Sequence, residues 1–232
     1  MSLTDVITLD GPAGSGKSTV AKTISETLHR RQIDSGAMYR TITYLAIQYA
    51  SSTASKISNI VNDDKFFDYL EKNRPVIEFT DNQQQIRVHK EDMENYIRKP
   101  EITEQIKYIA DNIKIRKTIN SWIQELATNY PVIADGRDMG TVVFPDAKYK
   151  FFLEASPEIR AERRFNEFIS KNPNITKDEV LKQIQNRDAQ DMARKFGGLK
   201  AANNAIIIDT SNQEIKAVVQ FIITSIRKID SN

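Results

Sequence analysis

Near the amino end, Gly11-Pro12-Ala13-Gly14-Ser15-Gly16-Lys17-Ser18 fits the phosphate-loop pattern G-x-x-x-x-G-K-[ST] and follows an apolar run, Val6-Ile7-Thr8-Leu9. The pattern reads as strand, loop, helix. Its glycines let the backbone curl so that successive N–H groups point inward at an anion, and the helix that begins near Lys17 adds the positive end of its dipole. Lys17 then neutralises the outer phosphates, the Ser18 hydroxyl takes a place on Mg²⁺, and Thr19 closes the first turn. A nucleoside triphosphate is the expected ligand.

Around that loop, apolar strand-like segments alternate with stretches of helical spacing, which predicts an α/β fold: a parallel sheet with helices on both faces. Residues 18 to 30 are a helix ending in His29-Arg30-Arg31, as suits a helix C-terminus. In Asp34-Ser35-Gly36-Ala37-Met38-Tyr39-Arg40, Asp34 or Ser35 caps a helix that runs on to Ala50. Arg40 lies near the electropositive end of that helix, where the dipole does not favour a cation, so an anionic ligand is the better reason for it. Residues 51 to 62, rich in Ser, Thr and Asn, read as a linker or the rim of an insertion. A short helix from Lys65 to Lys72 and strands at Pro75–Thr80 and Gln85–His89 then predict an inserted substrate-side subdomain over about residues 63–100. Residues 101 to 129 return to helical spacing, with Trp122 in the core.

Pro131-Val132-Ile133-Ala134-Asp135-Gly136-Arg137-Asp138-Met139-Gly140 is a buried-type strand that breaks into a charged turn. In open parallel sheets ligands lie outside the carboxyl ends of the strands, which is where Arg137 and Asp138 fall. After a further strand at Tyr149–Leu153, Pro157 opens a helix bearing Arg160, Arg163 and Arg164. Thr176 with Glu179 forms a capping box for another helix, on which Arg187, Asp191 and Arg194 share a face. Gly197-Gly198 ends it, and a strand at Ala205–Asp209 and a helix at Ile215–Ile226 close the chain.

Composition narrows the chemistry. The 232 residues suffice for one substantial core with a small appendage, not two large domains. With no cysteine and only His29 and His89, disulfides, thiolate metal sites and phosphohistidine relays lack material. No apolar run is long enough to span a membrane, the first residues lack the pattern of a secretory leader, and the cytoplasm is the expected compartment. Lys114-Ile115-Arg116-Lys117 is too short a basic run for nucleic acid, and the net charge is +2. Arginines at 40, 137, 160, 163, 164, 187 and 194 could converge on the loop, as two anionic partners meeting head to head would require. If the acceptor is itself a phosphate, its oxygen is already ionised and no general base is needed.

The chain resembles the bacterial cytidylate kinases, of the nucleoside monophosphate kinase family, over nearly its whole length. The resemblance rests on Leu9–Thr19, on Asp34–Arg40, on Ile133–Ala147, and on Arg187-Asp188 with Asp191 and Arg194. It implies transfer of the terminal phosphate of ATP to CMP or dCMP, with Mg²⁺, by a monomer. On that likeness Gly11 to Thr19 hold ATP, with Ser18 on the metal. Arg40, Arg137 and Arg194 hold the acceptor phosphate, Arg187 and Asp191 reach the pentose, Arg116 and Asp138 read the base, and Ser35 lines the same site. Lys17, Arg137, Asp138 and Arg194 are then the catalytic set. Residues 157–198 become a lid whose Arg160, Arg163 and Arg164 close over ATP. Where the family often has a serine that helps read cytosine, this chain has Lys107.

The base-reading pair also follows from chemistry. Cytosine offers an amino donor and the N3 and O2 acceptors, which a carboxylate and a guanidinium match, whereas uracil sets a carbonyl against the carboxylate. The rival readings are a phosphate-loop kinase of a small alcohol, with Asp10 or Asp138 as base, and a nucleotide-dependent switch ATPase. Asp10 either supports the Mg²⁺ shell or pairs with Lys17.

Overall fold

In the computed structural model, which describes residues 3–169 and 174–231, a single 3₁₀ turn at Leu3–Asp5 leads into β1 (Ile7–Asp10), and the loop of glycines passes directly into α1 (Lys17–Leu28). Next come β2 (Arg31–Asp34), α2 (Ser35–Ser52), α3 (Ile57–Ile60) and α4 (Asp64–Lys72). The antiparallel strands β3 (Val76–Thr80), β4 (Gln83–Val88) and β5 (Glu91–Asp92) follow, then α5 (Glu94–Ile97), α6 (Pro100–Ala110) and α7 (Ile113–Asn129). The chain re-enters the main sheet as β6 (Val132–Gly136), makes a π-turn at Met139–Val143 and continues as β7 (Tyr149–Glu154). It ends with α8 (Pro157–Phe168), α9 (Lys177–Ala193), β8 (Ile206–Asp209) and α10 (Ile215–Asp230).

The main sheet is parallel throughout, in the order β2-β6-β1-β7-β8. Parallel strands covered on both faces must be apolar on both, and β6 is buried along its whole length. Val132 and Ala134 of β6 pack with α2 and α7, while Ile133, with Ile7 and Leu9 of β1, packs with α1 and α10. At about 25 cal/mol per Å² of apolar surface removed from water, each such fully buried Ile or Leu stabilises the fold by up to about 3 kcal/mol. From β1 the chain turns toward β2, and from β6 it passes over β1 to β7. The carboxyl ends of β1 and β6 therefore flank a crevice where helices leave in opposite directions, the place such sheets reserve for ligands.

Residues 51 to 62, expected as a linker, instead finish α2 and form α3, with Ile57, Ile60 and Val61 buried in the larger core. The hairpin β3–β4 turns on Asp81 and Asn82, both at positive φ, which gives the two-residue turn its twist. That turn docks on β2, where Gln32 N–H donates to the Asn82 carbonyl at 2.9 Å. Residues 170 to 173, within the span expected to be a lid, lie outside the described residues.

Candidate active site

The loop leaves β1 through Gly11, at φ 146°, where a Cβ would stand 2.0 Å from the Leu153 carbonyl oxygen of the neighbouring strand. Only glycine fits between these two strands. Lys17 folds back over the loop and donates from Nζ to the Pro12 carbonyl at 2.6 Å and to Ser15 Oγ at 3.3 Å. Its side chain is buried, and burial together with the nearby Arg137 pulls the ammonium well below the ordinary lysine value. An arriving phosphate would supply the charge that this cation lacks.

Beside the loop, Ser18 Oγ donates to Asp135 Oδ2 at 2.9 Å, and Gln32 Nε2 donates to Asp135 Oδ1 at 3.1 Å. Burial and the adjacent Asp34 carboxylate push Asp135 up to about 7. Asp10, at the end of β1, does not bond Lys17. Its two oxygens accept the backbone N–H groups of Met139 and Gly140 at 2.8 and 2.7 Å, and so hold the π-turn that follows Arg137 and Asp138. Burial, against those two bonds, raises it to about 6.

Opposite the loop the arginines gather on Asp191. Arg137 Nε donates to Asp191 Oδ2 and Arg194 Nη2 to Oδ1, both at 2.9 Å, and Arg187 Nε stands 4.0 Å from Oδ2. Burial works against the Asp191 charge, but Arg137, Arg187 and Arg194 outweigh it and hold the carboxyl below its ordinary range. Burial, and next the repulsion of Arg137, lower Arg187 to about 9, with Arg40 and Arg164 acting in the same direction. Arg137 and Arg187 also disfavour the charge on the Lys17 ammonium.

Arg116 and Asp138 form a buried ion pair. Arg116 Nη2 donates to Asp138 Oδ2 at 2.6 Å and to the Gly197 carbonyl at 3.3 Å, and its Nη1 donates to the Ala110 carbonyl at 2.8 Å. Both side chains are buried, and the guanidinium lies 5.1 Å from the centre of the Tyr39 ring. Burial raises Asp138 in spite of Arg116. Gly197, at φ 66°, is required here, since a Cβ would fall 2.2 Å from Arg116 Nη2.

The remaining expected residues are dispersed around this centre. Arg40 donates to Thr103 Oγ1 at 3.0 Å on α6, and Ser35 Oγ donates to the Asp135 carbonyl at 2.9 Å. Arg194 also donates to Asp111 Oδ1 at 2.8 Å. Of the three arginines on α8, Arg163 bonds the Thr210 carbonyl and hydroxyl, Arg164 bonds Glu167 Oε2 at 3.2 Å, and Arg160 is turned inward onto Asp188. Lys107 is exposed, its ammonium 5.1 Å from the centre of the Tyr108 ring.

The G-x-x-x-x-G-K-S loop with its buried lysine, the arginines gathered on Asp191 and the buried Arg116–Asp138 pair form a set of charges suited to anionic ligands. The family model for cytidylate kinase matches residues 7–228. The chain belongs to the cytidylate kinase family. A cytidylate kinase of Clostridium tetani is 40% identical over 214 residues, covering 92% of this chain and 90% of that one. A cytidylate kinase of Fusobacterium nucleatum is 40% identical over 224 residues, covering 97% and 98%. One from Clostridioides difficile is 38% identical over 221 residues, covering 95% and 97%.

In this cytidylate kinase family member Asp135 stands beside Ser18 without being among the expected site residues, although a carboxylate at the end of a buried strand in a phosphate-loop protein is itself a signal. Gln32 carries no such signal, because its partner lies 103 residues away.

Proposed function

We propose that this enzyme transfers the γ-phosphate of ATP to CMP or dCMP, giving ADP and the cytidine diphosphate. The observation that supports it above all is the convergence of Arg137, Arg187 and Arg194 on Asp191 within electrostatic reach of Lys17. Such a cage suits an acceptor that brings its own negative charge. An alcohol would leave three guanidinium groups with nothing to hold.

In this reading the loop amides and Lys17 take the β- and γ-phosphates, while Arg40, Arg137 and Arg194 hold the acceptor phosphate in line. Arg187 and Asp191 hold the pentose. Arg116 donates to the cytosine acceptors and Asp138 accepts from its amino group. Ser18 and Asp135 are hard oxygen donors 2.9 Å apart, which fits Mg²⁺. No group of three or more carboxylates or histidines placed to hold a metal occurs among the described residues, so nucleotide phosphates would complete the shell. When bound, the ion screens charge on the transferring phosphate. Residues 63–100 serve as the acceptor-side subdomain and 157–198 as the lid that excludes water. Magnesium, a monomeric state and the cytoplasm belong to the same proposal; no helix among the described residues is long and apolar enough to cross a membrane.

A coupled assay with ATP and Mg²⁺ against CMP, dCMP, UMP, AMP and a set of small alcohols tests it. CMP and dCMP are expected to lead; equal kcat/KM for CMP and UMP, or turnover of an alcohol alone, would overturn it.

A further inference from the structure

Arg160 is 3% exposed, and all three of its donating nitrogens are engaged. Nε donates to the Ala155 carbonyl at 2.9 Å, Nη1 to the Ala13 carbonyl at 3.2 Å, and Nη2 to Asp188 Oδ2 at 2.7 Å. One planar fork thus joins the end of β7, the phosphate loop and the middle of α9. The fit is close: a Cβ on Gly14 would lie 3.2 Å from Arg160 Cβ, so α8 rests directly on the loop. Asp188 is also buried, and its Oδ1 has no protein partner among the described residues. What holds this aspartate in place is therefore Arg160.

Asp188 sits on the same helix as the acceptor cage. Arg187 precedes it, Asp191 lies three residues on, and Arg194 three further. Asp191 shares a face of α9 with Asp188, and Arg187 and the capping residue Arg194 are attached to the same helix, so a shift of α9 at Asp188 carries all three. Nearer its amino end the helix is also joined to α8 by an apolar cluster of Ala161, Val180 and Ile184 and by Lys177, whose Nζ donates to Glu162 Oε1 at 3.0 Å. Ala13, at the other end of the fork, belongs to the loop that phosphates must order.

We propose that Arg160 and Asp188 are a positioning pair that couples the two nucleotide sites: filling the phosphate loop fixes Ala13, and the fork then fixes the face of α9 that holds the acceptor. The proposal rests on the two-nucleotide reading above. It makes acceptor affinity depend on donor-site occupancy, and by linkage the dependence runs equally in both directions.

Calorimetric titration of the full chain with CMP, in the presence and absence of saturating Mg·ADP, tests this. The unaltered protein is expected to bind CMP at least about threefold more tightly when ADP is present, and ADP more tightly by the same factor when CMP is present. In Asp188→Asn and in Arg160→Lys, which has no fork, that ratio falls to near one, Asp188→Asn binds ADP alone as before, and Asp188→Glu restores part of it. Circular dichroism identifies which variants fold, and Arg160→Lys decides if Asp188→Asn does not. An unchanged ratio in a folded variant, or a ratio of one in the unaltered protein, overturns the coupling. Weaker binding of ADP alone to Asp188→Asn overturns it too, since Asp188 bonds Arg160 and no atom of the loop. Failure of the unaltered chain to bind CMP at all would sink the two-nucleotide reading itself, and the coupling with it.

Discussion

Arg137 Nε donates to Asp191 Oδ2 across 2.9 Å, so the turn after β6 and the last turn of α9 meet on one carboxylate. Arg194 shares that carboxylate at 2.9 Å. In the free enzyme Asp191 supplies the negative charge around which mutually repelling arginines can assemble.

Asp191→Ala should therefore raise KM for CMP by about tenfold or more and lower stability by about 1 to 3 kcal/mol, the cost of leaving charged donors unpaired. The sign with pH follows from the depressed carboxyl. Stabilisation by Asp191 is present above the unfolded carboxylate value and is lost as pH falls through the lower folded value. Urea unfolding should show a stability gap between the two proteins near neutral pH that closes in acid below the ordinary carboxylate range.

Asp138 accepts from Arg116 at 2.6 Å in a buried pair that leaves its second oxygen available to a base. Replacing it by Asn provides an amide that can donate to the uracil carbonyl. A lost or gained buried hydrogen bond is worth about 1 to 3 kcal/mol, so the CMP-to-UMP ratio of kcat/KM should fall by about tenfold to a hundredfold. Initial rates with the two nucleotides check this, and an unchanged ratio would remove Asp138 from base recognition.

Lys17 is a buried cation whose ammonium is pulled down by burial and by Arg137. Lys17→Met should reduce turnover by at least about a hundredfold, the usual loss when one charge-stabilising group is removed. The melting temperature should hold or rise, because the variant no longer buries an ammonium. Loss of turnover through unfolding, visible by circular dichroism, would contradict this.

Asp10 binds its proton more tightly folded than unfolded, with a value raised from 3.8 to about 6 chiefly by burial. A raised carboxyl means that the folded state holds the extra proton, so rising pH between those two values favours unfolding. The group alone accounts for at most about 3 kcal/mol of stability lost across that window, at about 1.4 kcal/mol per pH unit. Asp10→Asn should flatten the slope, at the cost of weaker bonds to Met139 and Gly140. Urea midpoints taken from about pH 4 to pH 7 on both proteins measure the difference.

Much of this could be read from the chain because its decisive residues are neighbours in sequence. Gly11 to Ser18, Asp34 to Arg40 and Asp135 to Gly140 each carry their own geometry, and the buried strands announce themselves by the apolar runs Val132–Ala134 in β6 and Phe151–Leu153 in β7. β2 was less visible, because Arg31 and Gln32 interrupt its pattern; Gln32 is polar since it must reach Asp135. The inward turn of Arg160 and the grasp of Asp10 on the π-turn had no local trace at all. Their partners lie 28 and 129 residues distant, and periodicity reports which face a residue occupies, not what it meets there.

The phosphate loop takes its fit from residues that follow it by more than 130 positions. Leu153 walls in Gly11, Arg160 grips Ala13, and the Thr210 hydroxyl donates to the Ser15 carbonyl at 3.0 Å. A nascent polypeptide on the ribosome thus carries the loop motif long before it has the means to shape it. The contacts that shape the loop are complete only once Thr210 has been made, after Arg187, Asp191 and Arg194.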